Sequence, residues 1–318
     1  MAKPIRILSI DGGGVRGLIP ALVLAKLERI TGKPISGLFD LIAGTSTGGI
    51  LALGLTMPKD GLPAHSADQM AAIYEQEATR IFSRSFRHWM RPLTEQKYSS
   101  EGIESVLDEY FGDARLKDSL TNVLVPAFEI ERYFPFFFKS CIAKTNPAYD
   151  FAIKDVARAT SAAPTYFEPH QILTASGRDY YALIDGGMFA NNPAACALVE
   201  AMKCFHHAGE EEIVMVSLGT GARISSIPFS KARFWGLAQW AKPVLNVVLD
   251  GGSATVDYQL QKLCEVGNYF RFQPMLEASC SPMDKTNPAN LRRLRLTADT
   301  LIREKRVELD KIAGLLTR

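Results

Sequence analysis

Three short segments carry residues that could do chemistry. Gly44-Thr45-Ser46-Thr47-Gly48 has the G-x-S-x-G spacing of a nucleophile elbow, in which a sharp strand-to-helix turn lifts a serine hydroxyl clear of the backbone. The glycines permit the turn, and a helix N-terminus behind it favours negative charge developing nearby. Asp11-Gly12-Gly13-Gly14-Val15-Arg16-Gly17 is a glycine loop whose backbone N–H groups could converge on an oxyanion. Each such donor contributes about 3 kcal/mol in a water-excluded transition state. The third segment is an Asp-Gly-Gly tripeptide, which occurs at Asp11, Asp185 and Asp250.

A serine nucleophile needs a neighbour to take its proton, and histidine is the usual one. The five histidines are His65, His88, His170, His206 and His207, and none stands in a glycine-flanked, strand-end position. A histidine triad stays open as an alternative. Among the aspartates, Asp185 follows the strand-like run 180–184 and is released by Gly186-Gly187 ahead of Asn192-Pro193, a good helix start. Asp250 follows a run that reads as helix, and Asp11 heads the glycine loop. Asp185 is the best-placed base, and it works only where partial desolvation lifts its basicity above the usual ~3.9. The plain alternative is an aspartate closing an Asx turn. The glycine loop has a rival reading too: Gly12, Gly14 and Gly17 satisfy G-x-G-x-x-G, with Asp40 at about the distance of a ribose-binding acid. Against it, Asp40 precedes its strand's apolar run, and that strand leads straight into the serine turn.

The elements that must position these residues follow from periodicity. Residues 5–10 form a β-branched run ending in the glycine loop, and Val23, Leu24, Leu27 and Ile30 then recur at helical spacing, with Gly32 as a stop. Residues 39–43 read as a second strand, and the apolar run 50–55 as a buried helix. Ser66 and Gln69 form a capping box. Further strands are expected at 123–128, 133–139, 180–184, 213–218 and 269–272, and one amphipathic terminal helix through Ala298, Leu301, Leu309, Ile312 and Leu316. Alternating strands and helices predict an α/β sheet. No repeat or flexible linker divides the chain, so residues 1–318 read as one domain, with a core about 5–222 and a C-terminal helical portion about 228–318.

The composition is that of a globular chain: 47% hydrophobic, 22% charged, net charge +2, which gives no case for nucleic-acid binding. No apolar leader and no run of membrane-spanning length is present in the sequence. The five cysteines are scattered without C-x-x-C spacing, which argues against a disulfide framework and against a zinc site. Together these point to a reducing, cytoplasmic setting.

Taken in order, Asp11-Gly-Gly-Gly-Val-Arg16-Gly, Gly44-Thr-Ser46-Thr-Gly48 and Asp185-Gly-Gly resemble the patatin-like phospholipases. The stretches 159–167 and 191–193 resemble that family as well. The resemblance implies a three-layer α/β/α fold with a central, mostly parallel sheet and a Ser–Asp dyad that dispenses with histidine. It implies Ser46 as nucleophile, Asp185 as base, and Gly12, Gly13, Gly14 and Arg16 at the oxyanion hole, where the Thr47 N–H is a further expected donor. The function it implies is hydrolysis of fatty acyl esters of phospholipids or related lipids, with no metal or organic cofactor. Acyl transfer to another acceptor, thioester cleavage, and a membrane-degrading effector switched on by a small nucleotide are the competing functions. A lipid substrate requires peripheral contact with a membrane. Two mixed basic and aromatic stretches could supply it: Arg80, Phe82, Arg84, Phe86, Arg87, Trp89 and Arg91, and Lys231, Arg233, Phe234, Trp235, Trp240 and Lys242.

Overall fold

The computed structural model describes residues 4–84, 96–205, 213–223, 226–264, 268–277, 280 and 282–317. Its centre is an eight-stranded sheet formed by β1 (Ile5–Ile10), β2 (Leu41–Gly44), β3 (Asn122–Glu129), β4 (Phe134–Lys139), β5 (His170–Leu173), β6 (Tyr180–Asp185), β7 (Ile213–Leu218) and β8 (Tyr269–Phe272). The spatial order is β8-β7-β1-β2-β3-β6-β5, with β4 also paired to β3. Strands β8, β7, β1, β2 and β3 run parallel, while β4, β6 and β5 add antiparallel pairs at one side.

Buried apolar residues on both faces explain the near-continuous hydrophobic strands. Leu8, Ile10, Ile42 and Val125 face one core, and Ile5, Ile7, Ala43 and Met215 face the other. Helix α1 (Leu18–Thr31) covers the first face, joined by α2 (Thr47–Thr56), α3 (Ala67–Gln76), α4 (Ser100–Phe111) and α5 (Ile153–Thr160). Helix α6 (Ala194–Cys204) and helix α7 (Leu237–Leu263) lie on the second. The architecture is three-layer α/β/α.

The strand expected at 269–272 is β8, which the portion from about residue 228 contributes to the sheet edge. The expected single terminal helix is two, α8 (Pro288–Glu304) and α9 (Arg306–Thr317), which break at Lys305 and both pack on α1. Strand β5 has no counterpart among the expected strands. Its four residues alternate exposed and buried as an edge strand, too short a run for periodicity to register.

Candidate active site

The edge of β3 decides which residues meet. Strand β4 occupies one edge of β3 throughout, from Leu124 opposite Lys139 to Glu129 opposite Phe134. The other edge is shared. Strand β2 pairs with it in parallel, ending with Ala43 opposite Leu124, and β6 pairs antiparallel, ending with Asp185 opposite Ala127. Two strands therefore run toward one another along a single edge, and their C-terminal ends converge over Val125 and Pro126. Pro126 has no N–H to offer a ladder, so the gap between them costs little hydrogen bonding. Ser46 leaves β2 at that gap, and Asp185 leaves β6.

Ser46 has φ 54° and ψ −121°, a conformation that side chains other than glycine rarely adopt. The turn is enforced by close packing: a Cβ on Gly44 would lie 2.0 Å from the Gly48 carbonyl oxygen, and one on Gly48 would lie 2.2 Å from that of Ile10. The Ser46 N–H donates to Thr160 Oγ1 at 3.0 Å, and the Thr160 hydroxyl donates to the Pro126 carbonyl at 2.7 Å. The Thr47 and Tyr74 hydroxyls are 2.6 Å apart, and Tyr74 donates back to the Thr47 carbonyl at 3.1 Å. Burial of that ring holds the Tyr74 phenol above its ordinary pKa, so it remains a donor.

Asp185 is buried, and burial raises its carboxyl to about 6. The Ser46 hydroxyl and the Gly187 N–H, 2.7 Å from Oδ1, act in the opposite direction by hydrogen bonding to the charged form. A carboxylate near 6 is a far better proton acceptor at neutral pH than one near 3.8.

The glycine loop faces the same gap. In a trans peptide the C=O of one residue and the N–H of the next point opposite ways. Thr220 Oγ1 donates to the Gly12 carbonyl at 2.7 Å, which turns the Gly13 N–H away from Thr220. Arg16 Nε donates to the Gly13 carbonyl at 3.2 Å, which turns the Gly14 N–H away from Arg16. Neither amide has an acceptor among the described residues, nor has that of Thr47. The Gly12 N–H, by contrast, donates to the Asn191 carbonyl at 2.9 Å and is occupied. What position 12 requires is the missing side chain, since a Cβ there would sit 2.5 Å from Asn191 Oδ1 and 3.4 Å from Ser46 Cβ. The guanidinium of Arg16 lies behind the loop, where it also donates to the Gly221 carbonyl at 3.3 Å, and not in the space above Ser46.

Gly13, Gly14, Ser46, Thr47 and Asp185 all line one open cavity. Its other walls are chiefly apolar, among them Ile50, Ile81, Phe82, Ile103, Phe167 and Leu249.

A sequence model described as patatin-like phospholipase matches residues 8–198, which contain all three motifs. The chain belongs to the patatin-like phospholipase family. Patatin-like protein 2 of Arabidopsis thaliana is 33% identical over 96% of this chain and 85% of its own length. A protein named probable inactive patatin-3-Kuras 1, from Solanum tuberosum, is 31% identical over 96% of this chain and 88% of its own. The solved structure of VipD from Legionella pneumophila aligns with a TM-score of 0.40 and 13% identity, covering 94% of this chain and 67% of that one.

The rival sites of this patatin-like chain fall elsewhere. Asp40 is paired with Arg6 at 2.9 Å, at the opposite end of β1 from the glycine loop, so the dinucleotide arrangement is not assembled. Asp11 is buried in a two-pronged pair with Arg271, at 2.9 and 2.6 Å, and Asp250 is exposed along α7. His65 Nε2 contacts the Tyr110 carbonyl and His170 Nε2 contacts Asp155; neither lines the cavity, and His88, His206 and His207 lie outside the described residues. Sequence reading passed over Thr160, Tyr74 and Thr220. Thr160 lay in the family-like stretch 159–167, and Thr220 stands between Gly219 and Gly221 directly after β7.

Proposed function

We propose that this member of the patatin-like phospholipases is a serine lipid acyl hydrolase with Ser46 as nucleophile and Asp185 as its base. The observation that carries the reading is the juxtaposition of the Ser46 hydroxyl with a buried carboxyl of pKa about 6, at the wall of an apolar cavity. Asp185 takes the hydroxyl proton as Ser46 Oγ bonds to the ester carbonyl carbon. The oxygen that becomes negative is held by the Gly13, Gly14 and Thr47 amides, at the N-terminus of α2. Collapse of the tetrahedral intermediate expels the alcohol, which takes the proton from Asp185. Water then attacks the acyl-enzyme by the same route and releases the fatty acid.

Chain 1–318 acts in this reading as one unit, with a membrane as the source of substrate. Helix α7 supports that: Leu245 and Leu249 line the cavity, while Val244, Val247 and Val248 on the outward side are exposed. Phe229, Phe234 and Leu237 continue the exposed apolar surface beside exposed Lys231 and Arg233. Trp235 and Trp240 are half-buried and pack edge to face at 5.2 Å, so they brace this surface instead of projecting from it. In the other stretch Phe82 is a cavity wall and Arg80 pairs with Glu109, whereas Phe86, Arg87, Trp89 and Arg91 lie outside the described residues. No helix among the described residues is long and apolar enough to cross a membrane.

The test is labelling with a fluorophosphonate, followed by mapping of the modified peptide. Modification of Ser46, and loss of both labelling and phospholipid cleavage in a folded Ser46→Ala variant, is the expected result. Full turnover by Ser46→Ala would overturn the assignment. Adding an alcohol acceptor and analysing products separates hydrolysis from acyl transfer.

A further inference from the structure

On the second face of the sheet, two thiols and a carboxylate converge. Cys141 lies in the short helix Ser140–Ala143, directly after β4, while Glu200 and Cys204 stand four residues apart on one face of α6. Cys204 Sγ is 3.5 Å from Cys141 Sγ and 3.4 Å from Glu200 Oε1, and Cys141 Sγ is 3.7 Å from the same oxygen. We propose that Cys141, Glu200 and Cys204 form a binding site for a thiophilic divalent cation of the zinc class.

The triangle has the dimensions of one face of a tetrahedral site. Zinc–sulfur bonds near ~2.3 Å and a zinc–oxygen bond near ~2.1 Å set edges of about 3.8 Å between sulfurs and about 3.6 Å between sulfur and oxygen. A disulfide would account for the two sulfurs but not for an oxygen within 3.7 Å of both. Glu200 is buried and its other oxygen, Oε2, is held by Lys139 in an ion pair, which fixes Oε1 toward the sulfurs. Charge balances as well: two thiolates and a carboxylate are offset by a divalent cation and the Lys139 ammonium. Both cysteines are half-buried and not sealed from solvent, which leaves the fourth ligand position to water. The bound cation would tie the C-terminal end of α6 to the short helix after β4, a tertiary staple independent of the Ser46 chemistry.

The test uses the full chain, reduced and stripped of metal with a chelator, then titrated with Co²⁺. The expected result is one equivalent bound, with thiolate-to-cobalt charge-transfer absorption and the intense visible bands of a tetrahedral ion, both abolished by added Zn²⁺. Zn²⁺ should also raise the melting temperature. Cys141→Ser and Cys204→Ser should each weaken binding more than about 10-fold, and Cys264→Ser should leave it unchanged. Glu200→Gln, which keeps both thiols, guards against loss of binding through misfolding and should weaken binding while circular dichroism is preserved. Absence of the charge-transfer band, or equal affinity across the variants, overturns the proposal. So does a Cys141–Cys204 disulfide that forms with oxidised glutathione as readily at saturating Zn²⁺ as without it.

Discussion

The Ser46 amide and the Thr160 hydroxyl are joined at 3.0 Å, and through Thr160 the Ser46 backbone is tied to Pro126, the point where β2 and β6 converge. Thr160→Val keeps the shape but leaves the Ser46 N–H and the Pro126 carbonyl without this partner. Stability should fall by about 1–3 kcal/mol, and kcat should fall while Thr160→Ser stays close to the parent. Denaturant unfolding and ester turnover of the two variants check this; equal activity of both would remove Thr160 from the account.

The positive φ of Ser46 is backbone strain, which the proposed role of this residue would explain. Ser46→Gly removes the nucleophile and the strain together, whereas Ser46→Ala removes only the nucleophile. Both variants should be inactive, and the glycine variant should be the more stable by about 1 kcal/mol, read as a difference in melting temperature.

The pH dependence follows from Asp185, whose folded carboxyl is raised from 3.8 to about 6 by burial. Only the ionised form can accept the serine proton, so kcat/KM should rise through about pH 6 and level off above it. Linkage runs the other way for stability: the native state holds its proton more tightly than the unfolded chain, so Asp185 costs stability as pH rises from about 4 to about 6. Asp185→Asn should abolish turnover and raise stability at pH 8 by at most about 3 kcal/mol, with little change at pH 3. Unfolding measured at the two pH values is decisive, and an equal gain at both would show that the shift is not the cause.

Thr220 orients the Gly12–Gly13 peptide without lining the cavity above Ser46. Thr220→Val should free that peptide to rotate and lower kcat by about 10- to 100-fold, within the range seen when one oxyanion donor is lost. KM should stay close to the parent value. A change in KM alone would assign Thr220 to binding.

Phe234 and Leu237 are 76% and 91% exposed, a cost in water that a lipid surface would offset. The double variant Phe234→Ser, Leu237→Ser should bind anionic vesicles several-fold more weakly and yet cleave a short, soluble ester at the parental rate. Vesicle flotation beside the soluble assay tests both halves.

The sequence by itself determined the parts whose information is local. Gly44 to Gly48 specify a turn because two backbone contacts near 2 Å admit only glycine, and the apolar runs at β1, β2 and β7 specify strands buried on both faces. Family membership was legible for the same reason, since each motif is a few adjacent residues in fixed order. Which groups meet was decided by the tertiary structure. Ser46 and Asp185 come together because one edge of β3 is shared by strands arriving from opposite directions, a pairing that no spacing along the chain encodes. The free amides at Gly13 and Gly14 depend on Thr220 and Arg16 holding the carbonyls before them, and Gly12 is spent on Asn191. Cys141 and Cys204 show no ligand spacing, yet the packing of α6 beside the end of β4 sets them 3.5 Å apart. Periodicity reports the side a residue faces; only the closed sheet reports what it faces.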